Sequence, residues 1–127
     1  MKKVTGIGGI FFKCNDLDKM KEWYNTNLGL SADKYGTTFE WLQADEPEKK
    51  GSTTWSPMAD STTYFQPSAK EFMINYRVAN LEGLIEELKR EGVTILDEME
   101  TYEYGKFIHI LDPEGNKIEL WEPNDEG

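Results

Sequence analysis

The chain has one cysteine and one histidine among its 127 residues. A lone cysteine, Cys14, excludes an intramolecular disulfide, and no Cys-x-x-Cys motif is present. Positive charge is scarce as well: 14 Lys and Arg against 24 Asp and Glu give a formal net charge of −10. A nucleic-acid binder needs a basic stripe to neutralise phosphates, and none is present, so that partner class is excluded. No stretch approaches the ~18–20 apolar residues of a membrane-spanning helix. The start of the chain, through Met1, Lys2, Lys3 and Val4, carries charge without the apolar run of a secretory signal. With its single thiol, the sequence leads us to expect a cytoplasmic location and no membrane partner. Nucleophile and phosphate motifs are also missing: there is no Gly-x-Ser-x-Gly and no phosphate-binding glycine loop.

Aromatic rings are plentiful by contrast, at 13% of residues with four Trp. In a chain of this size such rings either fill a core or wall a pocket. The chain also repeats itself. A strand-like run at 7–14 leads through Asn15, Asp16 and Leu17 into a helical pattern, and a second run at 71–78 leads through Asn80 and Leu81 into another. Each half then carries Tyr-Gly (Tyr35-Gly36, Tyr104-Gly105) and closes on Trp-x-Pro (Trp55 to Pro57, Trp121 to Pro123). Duplication implies two similar modules facing one another across a cleft.

The local patterns supply the elements. Asp16 and Asn80 are placed to cap helices, and Gly29 and Gly92 to end them in left-handed conformations. Leu17, Met20, Trp23, Tyr24 and Leu28 recur at helical spacing in the first helix; Leu81, Leu84, Ile85 and Leu88 do so in the second. Strands are predicted over 7–14, near 32–35, 37–42 and 52–56, then over 71–78, 93–96, 104–111 and 117–121. The fold class is α+β: one domain of paired βαβββ modules, about 1–57 and 71–123, forming an incomplete barrel around a cleft. The link over 58–70 is rich in Ser, Thr and Pro, yet Tyr64 and Phe65 are too apolar for a free linker and imply that it packs over something.

Strand side chains alternate between faces. Ile108, Ile110, Ile118 and Leu120 are expected to meet the helices, so His109, Glu119 and Trp121 look into the cleft, as do Met73, Asn75 and Arg77. Aligning the halves carries the assignment to Phe11, Glu40, Thr53 and Trp55. This inventory, aromatic walls with a few convergent polar groups, is that of a small-molecule site.

The motifs at Asn15, Asp16 and Leu17, at Glu22, Trp23 and Tyr24 before Leu28, Gly29 and Leu30, and above all over 111–120, resemble the vicinal oxygen chelate superfamily. That group includes glyoxalase I, extradiol dioxygenases, fosfomycin-resistance enzymes and bleomycin-resistance proteins. The resemblance spans nearly the whole chain and implies paired modules closing on a ligand cavity, commonly in a homodimer. Metal enzymes of that superfamily take ligands from the first and last strand of each module. Carried over, those positions are Gly9, Thr53 (or its neighbours Thr54 and Trp55), Met73 and Glu119. Only Glu119 suits a hard or borderline divalent metal, and a catalytic zinc normally needs three protein ligands.

The expectation is therefore a glyoxalase/bleomycin-resistance-like small-molecule binder without a metal cofactor, a divalent ion at Glu119 being the open alternative. Phe11, Glu40, Thr53, Trp55, Met73, Asn75, Arg77 and Trp121 are its candidate ligand contacts. The competing expectation is a lyase or isomerase resembling glyoxalase I, with His109 and Glu119 as acid and base. Against both stand plainer roles: a hydrogen-bonded histidine, and a Glu119 paired with Arg77 or Lys117.

Overall fold

The computed structural model describes residues 3–124. The elements in chain order are β1 (Val4–Cys14), α1 (Leu17–Leu28), β2 (Thr37–Leu42), β3 (Lys50–Ala59), β4 (Phe72–Val78), α2 (Leu81–Arg90), β5 (Glu100–Tyr102), β6 (Gly105–Leu111) and β7 (Lys117–Pro123). The strands form one open sheet in the order β2-β3-β1-β4-β7-β6-β5. β1 and β4 run antiparallel at its centre, so the two modules join edge to edge within a single chain. β1 is parallel to β3, and β4 to β7, which repeats the module across the junction.

The punctuation follows side-chain chemistry. Asp16 accepts from the Lys19 amide at 3.0 Å, and Asn80 accepts from the Gly83 amide at 3.1 Å, each meeting a helix N–H that would otherwise lack a partner. Gly29 ends α1 at φ 72°, a left-handed conformation that costs glycine nothing. Between β6 and β7, Asp112 Oδ1 accepts from the amides of Glu114 and Asn116 and closes the turn.

The modules are unequal beneath their helices. The buried cluster of Val78, Leu81, Leu84, Ile85, Ile108, Ile110 and Leu120 lies wholly in the second module, between α2 and the outer face of β4, β6 and β7. α1 buries no residue; Trp23 is 53% exposed and Leu28 60%, so the apolar stripe read from the sequence does not become a core. The strand expected over 93–96 shrinks to a bridge between Ile95 and Ile110, and the one near 32–35 to a bridge between Asp33 and Gly36. β5, too short and polar to register as a strand in sequence, forms by pairing with β6. The link packs as expected: Phe65 is fully buried and Ser68 nearly so. No described helix is long and apolar enough to cross a membrane.

Candidate functional site

One row of side chains crosses the concave centre of the sheet. Thr54 pairs with Gly9, Gly9 with Asn75, Asn75 with Glu119, and Glu119 with His109, on five adjacent strands. Residues opposite one another in a ladder share a face, so the row collects groups more than a hundred residues apart in sequence.

Its centre is a hydrogen-bonded cluster. Asn75 Nδ2 donates to Glu119 Oε1 at 2.8 Å. His109 Nε2 lies 2.8 Å from Glu119 Oε2, and Nδ1 lies 2.6 Å from Asp97 Oδ2. Asp97 also accepts from the His109 amide at 2.9 Å, so one carboxylate fixes both the strand and its ring. Tyr64, from the link, donates its hydroxyl to Glu119 Oε2, and its ring meets the imidazole edge-on at 5.5 Å. Lys117 holds Tyr64 in place, its ammonium bonded to the Tyr64 carbonyl and 4.9 Å above the ring. Asn75, His109 and Glu119 are each 3–6% exposed.

Burial penalises charge, yet here the partners prevail. Burial would lift the Glu119 pKa, but hydrogen bonds from His109, Tyr64 and Asn75 take it below its ordinary 4.5. Burial would lower the His109 pKa, but the bonds to Glu119 and Asp97 take it above 6.5. Burial, reinforced by the Glu119 charge, pushes the Tyr64 hydroxyl well above 10. Around neutral pH Glu119 is thus a carboxylate and Tyr64 a neutral donor. The same bonds shift His109 toward imidazolium relative to a free histidine, which makes it a poorer resting base.

Aromatic rings wall the hollow beside this cluster. Phe107 and Trp121, opposite on β6 and β7, lie parallel within 7° at 5.7 Å. Tyr104 meets Phe107 edge-on and stacks on Tyr102 at 5.2 Å. Two compartments open here. One, of about 380 Å³, is bounded by Tyr64, His109, Lys117 and the Tyr102–Tyr104 pair; the other, of about 290 Å³, by Gly8, Phe11, Thr54, Asn75 and Trp121. Glu119, Tyr104 and Phe107 line both.

Of the residues singled out in sequence, Phe11, Asn75, His109, Glu119 and Trp121 come together in this hollow. Met73 is fully buried and borders neither compartment. Arg77 is also buried, its guanidinium between the rings of Trp41 and Trp121 at 5.3 and 5.1 Å, and it borders neither compartment.

Besides Met73 and Arg77, three placements differ from expectation. Trp55 packs against Tyr24 of α1 at 4.7 Å and Phe12 at 5.4 Å, on the helix side of the sheet. Thr53 is committed to Trp41 Nε1 and the Ile7 carbonyl, and Thr54 takes the cleft position. Glu40 stands exposed on the edge strand β2, opposite Ser52 and outside both compartments.

The cause is the pairing register. With Thr54 rather than Thr53 as the counterpart of Glu119, Trp55 matches helix-facing Leu120, and Thr38, paired with Thr54, matches His109. The Trp-x-Pro motifs stand one residue out of step with the pairing: Trp55 directly follows Thr54, the residue paired with Gly9, whereas Trp121 lies two residues beyond Glu119, the residue paired with Asn75.

A family model matches residues 6–120, and its description is the Glyoxalase/Bleomycin resistance protein/Dioxygenase superfamily. The chain belongs to that superfamily. Among solved structures, methylmalonyl-CoA epimerase from Mycobacterium tuberculosis is similar at 21% identity and TM-score 0.63, over 99% of this chain and 93% of that one. Streptomyces coelicolor methylmalonyl-CoA epimerase, in complex with 2-nitronate-propionyl-CoA, is similar at 16% identity and TM-score 0.66, over 95% and 99%. A glyoxalase/bleomycin resistance protein/dioxygenase superfamily member from Vibrio splendidus 12B01 is similar at 13% identity and TM-score 0.58, over 91% and 97%. At these identities the likeness establishes the fold. A search of curated protein sequences gives no match.

The superfamily's metal positions can be tested on the row itself. Gly9 offers no side chain, Thr54 a hydroxyl, Asn75 an amide and Glu119 a carboxylate. Both Glu119 oxygens are already hydrogen-bonded within the protein. Among the described residues no group of three or more His, Cys, Asp or Glu is arranged to hold a metal. A donor set with one engaged carboxylate and no imidazole in the row's ligand positions does not fit a catalytic divalent metal.

Sequence reasoning missed Tyr64 and Asp97 in the polar cluster and Tyr104 and Phe107 in the aromatic wall. Asp97 lies just outside the expected 93–96 strand and gave no signal. Tyr64 did give one, as an aromatic in an otherwise polar link.

Proposed function

We propose that this superfamily member is a small-molecule-binding protein. Its ligand lies in the hollow over β1, β4, β7 and β6, anchored by Glu119 and Asn75 and walled by Phe11, Phe107 and Trp121, with no resident metal. The observation that carries this reading is the row Asn75–Glu119–His109. It is nearly dehydrated, internally hydrogen-bonded and flanked by rings, and polar groups converging in an apolar concavity are what orient small ligands. The ion cluster favours binding over turnover: Glu119, held by three donors, is a weaker base than a free carboxylate, and His109 is shifted toward its acid form.

A second reading, proton transfer in an isomerase, draws support from the His109–Glu119 contact of 2.8 Å and from the epimerases among the structural neighbours. Thermal-shift screening of a metabolite panel that includes acyl-CoA esters, with parallel assay for turnover, separates the two. Binding predicts compounds that raise the wild-type Tm by several degrees, lose that effect in Glu119→Gln and are recovered unchanged. Turnover abolished in His109→Ala would install the isomerase reading instead. A panel without any stabilising compound would contradict both.

We further infer a cytoplasmic homodimer. The thin cover of the first module, with Ile10, Phe39 and Leu42 exposed alongside Trp23 and Leu28, supports association.

A further inference from the structure

We propose that the hollow selects flat, positively charged nitrogen compounds. The aromatic body lies against the Phe107–Trp121 wall, and the cationic N–H edge meets Glu119 and Asn75 Oδ1. This rests on the reading that the hollow holds a ligand, and names the ligand's chemical class.

The polar groups of the 290 Å³ compartment are overwhelmingly acceptors. Asn75 Nδ2 is committed to Glu119, which fixes the amide's orientation, because an ionised carboxylate can only accept. Its carbonyl oxygen, Oδ1, is then left buried and without a partner. That oxygen lies against Gly8, where a Cβ would approach it to 2.2 Å and Trp121 to 2.8 Å, so position 8 keeps the space only as glycine. A buried acceptor left unsatisfied costs roughly 1–3 kcal/mol, and a donor from a ligand would relieve it. Glu119 has accepted three protein hydrogen bonds of the roughly four a carboxylate can take, leaving one direction open. Thr54 adds a hydroxyl that can accept as well as donate.

No Lys, Arg or His lines this compartment among the described residues. Arg77 stands behind this wall, its guanidinium between Trp41 and Trp121, while His109 and Lys117 open onto the neighbouring compartment and are engaged there, His109 between Asp97 and Glu119, and Lys117 on the Tyr64 carbonyl. An anionic ligand would therefore face a carboxylate and a bare carbonyl with no cation in the lining to bond it, a costly burial. A cation gains ionic hydrogen bonds from these acceptors, and a chain of net charge −10 concentrates cations around it.

Three probes of one shape test this: benzamidinium, neutral benzamide and anionic benzoate. Each is titrated into the protein while the Asn75 side-chain amide and Trp121 indole N–H signals are followed by NMR. We expect benzamidinium to bind at least ten-fold more tightly than benzamide, and benzoate not to move either signal. Glu119→Gln should weaken benzamidinium at least ten-fold, whereas Trp23→Ala, on the exposed face of α1, should leave it unchanged. The ranking of the probes in wild-type protein stands even if Glu119→Gln fails to fold. If benzamide or benzoate binds as tightly at Trp121, the charge preference is wrong while the hollow remains a binding site. If no probe moves either signal, and the metabolite panel is silent too, the binding reading falls with it.

Discussion

A carboxylate with 4% of its surface exposed stays ionised only when its lone pairs are met, and Glu119 meets three donors from three different segments of the chain. The consequence can be measured because His109 is the sole histidine, so one imidazole signal reports on the cluster. Its titration midpoint should lie above 6.5 in the wild type and fall in Glu119→Gln; a wild-type midpoint at or below 6.5 would contradict the geometry. Stability should follow the same groups. The His109 contribution is complete below pH 6.5 and is lost as pH rises through the elevated folded value. The Glu119 contribution is complete above pH 4.5 and is lost as pH falls through the depressed folded value. Tm should therefore be highest between about pH 4.5 and 6.5, and its alkaline decline should flatten in Glu119→Gln. Simple alternation along β6 and β7 placed His109, Glu119 and Trp121 correctly, because those strands pair without interruption. Thr53 and Trp55 were misplaced because their faces were carried over from the second module by aligning the Trp-x-Pro motifs, which stand one residue out of step with the ladder that pairs Thr54 with Gly9; Glu40 shares the face of Thr38 but lies two residues along the strand from it, outside the hollow.

Among elements, the two helices invite comparison. Both have capped N-termini and apolar residues at helical spacing, yet only α2 sits on a core. Leu84→Ala should thus cost ~2–5 kcal/mol in urea unfolding, while Trp23→Ala should cost under about 1 kcal/mol, its ring being half in solvent. Equal losses would mean that α1 is held as firmly as α2. The helices, their caps and the duplicated strand order were legible because periodicity and punctuation are local. The depth of burial was not, since it depends on what the opposite layer provides. The link is a further case: its composition suggested a connector that packs, but not that Tyr64 donates to the central carboxylate. Removing that hydroxyl in Tyr64→Phe should lower stability by about 1–2 kcal/mol, since the bond is to a charged group but the ring is partly exposed. A change within experimental error would show that the link does not support Glu119.

At the scale of the molecule, duplication accounts for the hollow and divergence for its contents. Two modules joined through β1 and β4 curve one sheet around a concavity, and the first module lends it glycine, phenylalanine and threonine where the second supplies asparagine, glutamate and histidine. The central claim is that this concavity holds a small molecule against Glu119, Asn75 and the Phe107–Trp121 wall. Crystals soaked with a library of small aromatic amines, amides and acids test it most directly. The account predicts that bound fragments concentrate between Phe11, Phe107 and Trp121 with a donor within hydrogen-bonding distance of Glu119 or Asn75 Oδ1. Fragments distributed over the outer surface, with that hollow filled by protein side chains or consistently empty, would contradict it.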